Sequence, residues 1–189
     1  MQLQNMDAPI ISVITVCYNV ASTIEKTMLS VLNQTYKNLE YIIIDGNSTD
    51  GTVDIIKKYA ERLTFWISEP DKGIYDAMNK GIVKATGKFL IFMNAGDQFL
   101  NEKVLSKCLP YFLQEIDVIS GIGYLSGQKW IPAKATDLSV AFFLKRSLNH
   151  QATFINRKLF QDNLYRTDLK IVGDSVFFFQ ALIMDNASY

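Results

Sequence analysis

The sequence predicts an α/β fold in which a mostly parallel central sheet is flanked by helices. Residues 41–45 contain three consecutive isoleucines and end at an acid, as expected of a parallel strand buried on both faces. Residues 10–18 form a similar β-branched run. A helical pattern follows each run, so residues 10–61 alternate strand, helix, strand, helix. Because parallel strands need crossover connections, this alternation predicts right-handed parallel units.

The first two helices are predicted from apolar spacing and from polar starts. After the first strand, Ile24, Met28 and Val31 lie on one helical face, and residues 22–25 match a capping box. After the second strand, a helix begins at residues 50–52, where Asp-Gly-Thr precedes another apolar stripe.

The alternation continues through the middle of the chain. Strands are predicted over residues 63–67 and 89–93. Between them, an apolar helical stripe covers residues 74–85 and is expected to end at Gly87. A helix over residues 104–112 follows the second of these strands.

The last third of the chain is less regular. Its predicted elements are a strand over 118–124, an edge strand over 129–132, a helix over 138–145, a strand over 152–155 and a helix over 174–184. The last helix is apolar nearly all round and therefore needs cover on most sides. We expect a single domain over residues 1–189 that lacks a C-terminal segment.

Composition excludes several classes of protein. At 189 residues and 49% hydrophobic content, the chain can bury the core of one domain. It carries 19 basic and 19 acidic residues and no basic tract, which argues against a nucleic acid partner. Cys17 and Cys108 lack metal-binding spacing, so we expect reduced thiols. Residues 1–9 hold no secretory core and no apolar run reaches ~18 residues, which predicts a cytoplasmic protein.

Three acids stand at the ends of predicted elements. Asp45 and Asp97 each follow a strand, and Asp174 begins the last helix. Any one of them alone is more often a turn or cap residue, since its side chain bonds nearby backbone N–H groups. Asp45 and Asp97, however, recur at matching strand ends, which favours a shared ligand crevice. Carboxylates beside a nucleotide diphosphate would also favour a hard divalent cation.

Two further side chains are candidates with open interpretations. His150 is the only histidine and lies in the polar triplet 149–151, between an apolar helix and an apolar strand. A lone histidine is more often structural than catalytic, although this position suits a loop that faces the crevice. Trp130 belongs either to the core or to a platform for a sugar ring.

Five segments resemble the motifs of family-2 glycosyltransferases, which are inverting enzymes with the GT-A fold, a Rossmann-like arrangement. In chain order they are residues 11–19, 45–52, 69–81, 149–154 and 172–174. The third segment is similar to the version in polysaccharide-building branches of the family. The match covers nearly the whole chain, and five motifs in order make a chance match improbable.

The resemblance assigns a nucleotide-sugar donor to the first three segments. It implies that Tyr18 flanks the nucleotide base and that Asp45 bonds it. It also implies that Asp71 and Asp76 lie near the base and the ribose. Asn19, which ends the first segment, is assigned to the same substrate-binding set.

The resemblance also implies where the chemistry lies. Asp97 matches the last acid of the family's metal-binding Asp-x-Asp element, and Asp174 matches the catalytic base. His150 is implied to contact the diphosphate or the acceptor. Asn94 and Gly96 replace acids that often precede Asp97. Asn94 is therefore assigned to substrate binding, and one carboxylate remains for Mg²⁺ or Mn²⁺.

Two opposing effects act on the expected base. Desolvation by the phenylalanine-rich helix would raise the pKa of Asp174, whereas its position at the helix N-terminus would lower it. The sequence leaves open which effect is larger.

The resemblance implies inverting transfer of a sugar, expected to be UDP-linked, to a glycan or lipid-linked acceptor in cell-surface polysaccharide biosynthesis. Such an acceptor would place the protein peripherally at the inner face of the membrane. An alternative is a nucleotide-sugar-binding module without transfer activity. A nucleotidyltransferase ranks last because residues 19–22 lack glycine. The fingerprints Gly-x-Gly-x-x-Gly and Gly-x-x-x-x-Gly-Lys-Ser/Thr are also absent.

Overall fold

The structure, a computed structural model, describes residues 10–189. The prediction that residues 1–9 hold no secretory core therefore lies outside the described residues. The strands and α-helices are, in chain order, β1 (Ile11–Cys17), α1 (Ile24–Leu32), β2 (Leu39–Asp45), α2 (Thr52–Lys58), β3 (Phe65–Ser68), α3 (Ile74–Lys84), β4 (Phe89–Phe92), α4 (Val104–Phe112), β5 (Val118–Ser120), β6 (Gly123–Leu125), β7 (Gln128–Trp130), α5 (Val140–Phe143), β8 (Thr153–Asn156) and α6 (Gly173–Phe179).

Six strands form the central sheet in the order β3-β2-β1-β4-β8-β5. β1 pairs in parallel with β2 and β4, and β2 pairs in parallel with β3. β8 pairs antiparallel with β4 and with β5. The predicted mostly parallel α/β sheet is thus confirmed. The register sets Cys17 beside Asp45 and Asp45 beside Ser68, so three strands end together at one carboxyl edge.

The sheet is buried between helices on both faces. Along β1, Ile14 and Val16 face a core shared with α3 and α6. Ile11, Val13 and Cys17 point the other way, into a core shared with α1 and α4. This alternation is the period of two that a strand requires, and both sets are apolar because both faces are covered. The Cys17 thiol is free and buried, in agreement with its predicted place in the core.

The predicted strand over 118–124 is in fact two strands. β5 stays in the central sheet, whereas β6 leaves it and pairs antiparallel with β7 in a separate hairpin. Ser126 and Gly127 form the two-residue turn of this hairpin, with φ of 50° and 78°. A turn with two positive φ values matches the twist of the flanking strands. The Ser-Gly pair was therefore the sequence signal that the single-strand prediction missed.

Two predicted helix boundaries are wrong. Residues 22–25 form no capping box, since no side chain caps α1 and Glu25 instead accepts a hydrogen bond from the Tyr59 hydroxyl at 2.8 Å. Gly87 does not end α3, which stops three residues earlier. Gly87 instead allows its backbone to lie close to the backbone of Ile10, because a Cβ on Gly87 would lie 2.7 Å from the carbonyl oxygen of Ile10.

The last helix is only partly covered within the described residues. α6 continues as a π-helical turn over Gln180–Met184 rather than as one α-helix. Phe177 is buried and stacks on Phe160 with ring centroids 4.4 Å apart. Met184, in contrast, is 58% exposed. Across residues 10–189, no helix is long and apolar enough to cross a membrane. The single domain with a further C-terminal segment stays a prediction.

Replacement of Gly81 by alanine should destabilise the fold. Gly81 lies where α3 packs on β1, and a Cβ there would lie 2.5 Å from Cγ2 of Ile14. Alanine favours helices over glycine by about 1 kcal/mol, but overpacking costs about 1–3 kcal/mol. We expect a net loss of about 1 kcal/mol in urea unfolding. Val83→Ala, at a neighbouring position that is 70% exposed, should leave stability nearly unchanged. Equal stability of Gly81→Ala and wild type would contradict this packing.

Candidate active site

The turns that follow β1, β2 and β4 meet at the carboxyl edge of the sheet, where the segments before β8 and α6 join them. The sequence-predicted residues form two groups there. The donor-side group consists of Tyr18, Asn19, Asp45 and Asp71. The base-side group consists of Asn94, Asp97, His150 and Asp174. Asp76 belongs to neither group by its contacts.

Asp45 is fully buried, and its carboxylate accepts hydrogen bonds from three directions. Ser48 donates from its backbone N–H at 2.9 Å and from its hydroxyl at 2.5 Å. The Ser68 hydroxyl, at the end of β3, donates at 2.6 Å, and the Cys17 thiol, at the end of β1, lies 3.5 Å away. A buried carboxylate is tolerated when its oxygens are satisfied in this way. Asp45 therefore shapes the edge of the sheet, and direct contact with a base stays a prediction.

The same network joins the first two turns. Asn19 adopts a φ of 52°, which asparagine tolerates better than most residues. Its side-chain oxygen accepts the backbone N–H of Thr49 at 2.9 Å, and its own N–H donates to the Ser48 hydroxyl at 2.8 Å. The Asp50 carboxylate accepts the backbone N–H of Ala21 at 2.9 Å. Asn19 is thus held as part of the wall of the donor-side group.

Tyr18 and Asp71 face each other across Gly46. The Tyr18 ring is 62% exposed at the end of β1. A Cβ on Gly46 would lie 2.5 Å from an Asp71 carboxylate oxygen and 3.4 Å from the Tyr18 ring. The absence of a side chain at Gly46 therefore lets the Asp71 carboxylate lie close to this backbone. Gly46 is a functional candidate that the sequence analysis did not single out, although it lies in the quoted segment 45–52.

The Asp76 side chain makes its contacts around the start of its own helix, α3. Its carboxylate accepts the backbone N–H of Lys72 at 3.0 Å and lies 3.7 Å from the Lys80 ammonium group. Lys80 also pairs with Glu69 at 2.9 Å. These contacts are those of an acid that caps the first turn of α3. The predicted contact of Asp76 with a nucleotide therefore finds no support in these contacts and stays a prediction.

The base-side group is a continuous chain of hydrogen bonds. Nδ1 of His150 lies 2.8 Å from Oδ2 of Asp174, and Nε2 lies 3.1 Å from the side-chain nitrogen of Asn94. A carboxylate can only accept, so Nδ1 carries the proton and Nε2 accepts from Asn94. His150 thus links the end of β4 to the start of α6. The structure brings together three predicted residues that are far apart in sequence.

Asp174 is held by three donors. Its Oδ1 accepts the Tyr75 hydroxyl at 3.0 Å and the backbone N–H of Ser175 at 2.9 Å, and its Oδ2 accepts from His150. Burial is the largest single effect and opposes ionisation, but the hydrogen bonds from His150, Tyr75 and Ser175 and the charge interaction with His150 together outweigh it and hold the pKa of Asp174 below its ordinary value. The carboxylate is therefore ionised near neutral pH, and Oδ2 keeps a lone pair for a further donor.

Asp97 and Asn94 lie in one turn after β4, where the Asp97 backbone N–H donates to the Asn94 carbonyl at 2.9 Å. Burial raises the pKa of the Asp97 carboxyl, against the opposing effects of His150 and the Gln151 side chain. The side-chain oxygen of Asn94 is buried and makes no hydrogen bond within the described residues. The half-buried Asp97 carboxylate and the unpartnered Asn94 amide oxygen belong to the same turn, and both are oxygen ligands of the kind that Mg²⁺ or Mn²⁺ prefers.

The protein alone supplies few ligands for such a cation. Among residues 10–189, no group of three or more His, Cys, Asp or Glu side chains could hold a metal ion. Trp130, the other open candidate, lies half-buried in the hairpin of β6 and β7. Tyr75, which the sequence analysis assigned only to a motif, emerges as a contact of Asp174.

Replacement of Asp45 by asparagine should destabilise the protein. The substituted amide would place N–H groups against the donors of Ser48 and Ser68, leaving buried donors without acceptors. The expected loss is about 1–3 kcal/mol in the free energy of unfolding, measured with urea. Asp54→Asn is the matched control, because the Asp54 side chain is 81% exposed. If both variants unfold at the wild-type midpoint, the structural role of Asp45 is wrong.

The site can be compared with known proteins. The family model described as "Glycosyl transferase family 2" matches residues 12–185. The PGL/p-HBAD biosynthesis glycosyltransferase of Mycobacterium bovis (strain BCG / Pasteur 1173P2) is 34% identical over 161 residues, which are 82% of this chain and 62% of that relative. The chain thus spans less than two thirds of the length of this relative.

Two solved structures share the fold. S. aureus TarS 1–349 in complex with UDP superposes with a TM-score of 0.75 at 20% identity, over 90% of this chain and 54% of that one. The mannosyltransferase PcManGT from Pyrobaculum calidifontis, in complex with GDP-Man and Mn²⁺, has a TM-score of 0.74 at 22% identity, over 95% and 53%. The predicted GT-A fold is confirmed. The matches of sequence and fold together show that this chain belongs to glycosyl transferase family 2.

Proposed function

We propose that this chain transfers a sugar from a nucleotide-diphosphate sugar to an acceptor hydroxyl, with inversion at the anomeric carbon. One observation carries the proposal. An ionised carboxylate with a free lone pair, Asp174, is joined through His150 to Asn94, in the turn that also carries Asp97. In a family-2 fold, this arrangement supports a base at Asp174 with the diphosphate and its cation bound nearby.

The proposed step needs only the groups described. Oδ2 of Asp174 accepts the proton of the acceptor hydroxyl while that oxygen bonds to the anomeric carbon. The bond from this carbon to the diphosphate oxygen breaks, and its electron pair leaves with the nucleotide diphosphate. Attack on the face opposite the leaving group inverts the carbon. The His150 Nδ1–H and the Tyr75 hydroxyl keep the carboxylate in place during the transfer.

The donor is proposed to be a UDP-sugar. The TarS structure that shares this fold holds UDP, whereas PcManGT holds GDP-Man, so the fold by itself accommodates either base. The exposed Tyr18 ring, beside Gly46 and Asp71, forms the proposed base pocket. Asn19 and Asp45 support its wall, and Asp76 is assigned to the ribose side.

A divalent cation, Mg²⁺ or Mn²⁺, is proposed to be held by Asp97 with the help of the Asn94 side-chain oxygen. Support comes from the unpartnered oxygen of Asn94 and from the Mn²⁺ in the PcManGT structure. When bound, the cation would supply positive charge to the leaving diphosphate. The diphosphate would complete its coordination, since the protein offers few ligands.

The acceptor is proposed to be a glycan or a lipid-linked glycan of cell-surface polysaccharide biosynthesis. The similarity of segment 69–81 to polysaccharide-building branches supports this, as does a relative named for PGL/p-HBAD biosynthesis. With such an acceptor, the protein would act in the cytoplasm at the inner face of the membrane, as a peripheral protein.

The nucleotide proposal can be tested by calorimetric titration with UDP and with GDP, each with and without Mn²⁺. We expect UDP to bind at least about tenfold more tightly with Mn²⁺, because a cation held by Asp97 would supply positive charge to the diphosphate. Asp97→Ala should lose the Mn²⁺ effect, and Asp54→Ala, at an exposed site in α2, should keep it. Binding of UDP that is indifferent to Mn²⁺ in the wild type would contradict the cation site.

Asp174→Asn tests the base and the alternative of a binding module. Removal of the proton acceptor should reduce transfer by at least about 100-fold, while the dissociation constant for UDP stays within about twofold. The readout is transfer from sugars of whichever nucleotide binds. Normal transfer by the purified variant would exclude Asp174 as the base. Nucleotide binding without transfer in the wild type would favour the binding module.

A further inference from the structure

One face of α3 makes hydrogen bonds to the segment that leads from Tyr165 to Asp174. Tyr75 and Asn79 lie four residues apart and therefore share this face. The Asn79 side chain donates to the carbonyl of Tyr165 at 2.8 Å and accepts the Tyr165 N–H at 3.0 Å. The single hydrogen of the Tyr75 hydroxyl is shared between two acceptors, the carbonyl of Ile171 at 2.8 Å and Oδ1 of Asp174 at 3.0 Å. Both ends of the segment are thus tied to one helix.

The Tyr75 ring also supports the turn before Asp174. It is buried, and a Cβ on Gly173 would lie 2.7–2.9 Å from its ring atoms. The Gly173 backbone therefore rests directly on the ring. The Tyr75 ring also packs against the Tyr165 ring, with centroids 5.5 Å apart. A phenylalanine ring would keep this packing and lose only the hydroxyl contacts.

We propose that Tyr75 is a positioning residue for the base, with its hydroxyl fixing the plane of the Asp174 carboxylate. This inference rests on the proposed role of Asp174. The Tyr75 hydroxyl and the Ser175 N–H occupy Oδ1, so the remaining acceptor capacity is on Oδ2. Without the hydroxyl, the carboxylate keeps the hydrogen bonds from Ser175 and His150 but loses one of its two donors on Oδ1. Its plane is then less tightly fixed, which weakens its alignment with an acceptor.

The position of Tyr75 also connects the two halves of the site. α3 begins directly after residues 71–73, where Asp71 bonds the Gly73 N–H at 2.8 Å. Asp71, a donor-side residue, thus lies in the loop that leads into α3, and the base-positioning hydroxyl lies in the first turn of the same helix. This helix sets the distance between the proposed base pocket and Asp174.

Three titratable groups face Asp174, namely His150, Tyr75 and Tyr165. Burial raises the pKa of Tyr75 to about 12, so its hydroxyl stays a donor at all pH values of interest. Its hydrogen bond favours the ionised carboxylate, which lowers the pKa of Asp174. Removal of the hydroxyl must therefore raise that pKa, and the acid limb of any activity that needs ionised Asp174 must move to higher pH.

The test compares Tyr75→Phe with Tyr59→Phe. The control removes a hydroxyl that bonds Glu25 at 2.8 Å, away from the site. Carbon-13 NMR of labelled aspartates, with the Asp174 signal assigned from Asp174→Asn, follows the carboxylate directly and needs no substrate. We expect the Asp174 pKa to rise by at least about 0.5 in Tyr75→Phe and to stay unchanged in the control.

Kinetics provide the second readout. In Tyr75→Phe, kcat should fall roughly tenfold, its acid limb should move to higher pH, and UDP affinity should stay within about twofold. A merely structural loss would lower stability without moving the limb. An unchanged Asp174 pKa in Tyr75→Phe, or an equal rise in Tyr59→Phe, would overturn the proposal. Normal transfer by Asp174→Asn would instead overturn the proposed base, while the NMR result on the carboxylate would stand.

Discussion

The parallel pairing of β1 with β2 on one side and with β4 on the other is the constraint on which the rest of the structure depends. It brings the strand ends to one edge, so that the turns carrying Asp45 and Asn94 become neighbours of Tyr18. Because β1 is covered on both faces, it must be apolar along its length. Polar side chains can appear only after the strands end, which concentrates the chemistry at this edge.

Two buried carboxylates at that edge are stabilised in different ways. Asp45 is surrounded by donors from β1, β3 and its own turn, and its oxygens are engaged in holding these elements together. Asp174 receives one donor on Oδ2 and keeps acceptor capacity there. The first arrangement stabilises a shape, whereas the second leaves a charged group able to accept a proton. Both residues are aspartates, but Asp45 is fully buried whereas the Asp174 side chain keeps some exposure, so hydrogen bonding and access together distinguish the two roles.

Helix α3 connects the donor side to the base side. Its N-terminal turn follows Asp71, and its inner face carries Tyr75 and Asn79, which hold the segment before α6. Gly81 lets the same helix approach β1 closely. Asp174, the proposed base, is therefore positioned by the core of the protein and not by a loop alone, which is the kind of support that a precise site requires.

The sequence by itself determined the order of strands and helices up to residue 112, because hydrophobic periodicity is a local signal. Motif spacing, which is also local, predicted a site at the carboxyl edge and roles for Asp97, His150 and Asp174. Only the tertiary structure decided which way each side chain points. In the folded chain the carboxylates of Asp45 and Asp76 accept hydrogen bonds from within the protein. Tyr75 contacts Asp174, which lies 99 positions away in the sequence. The physical reason is that the contact between Tyr75 and Asp174 arises from the packing of α3 and α6 on one face of the sheet. Local sequence patterns do not predict contacts between residues so distant in the chain.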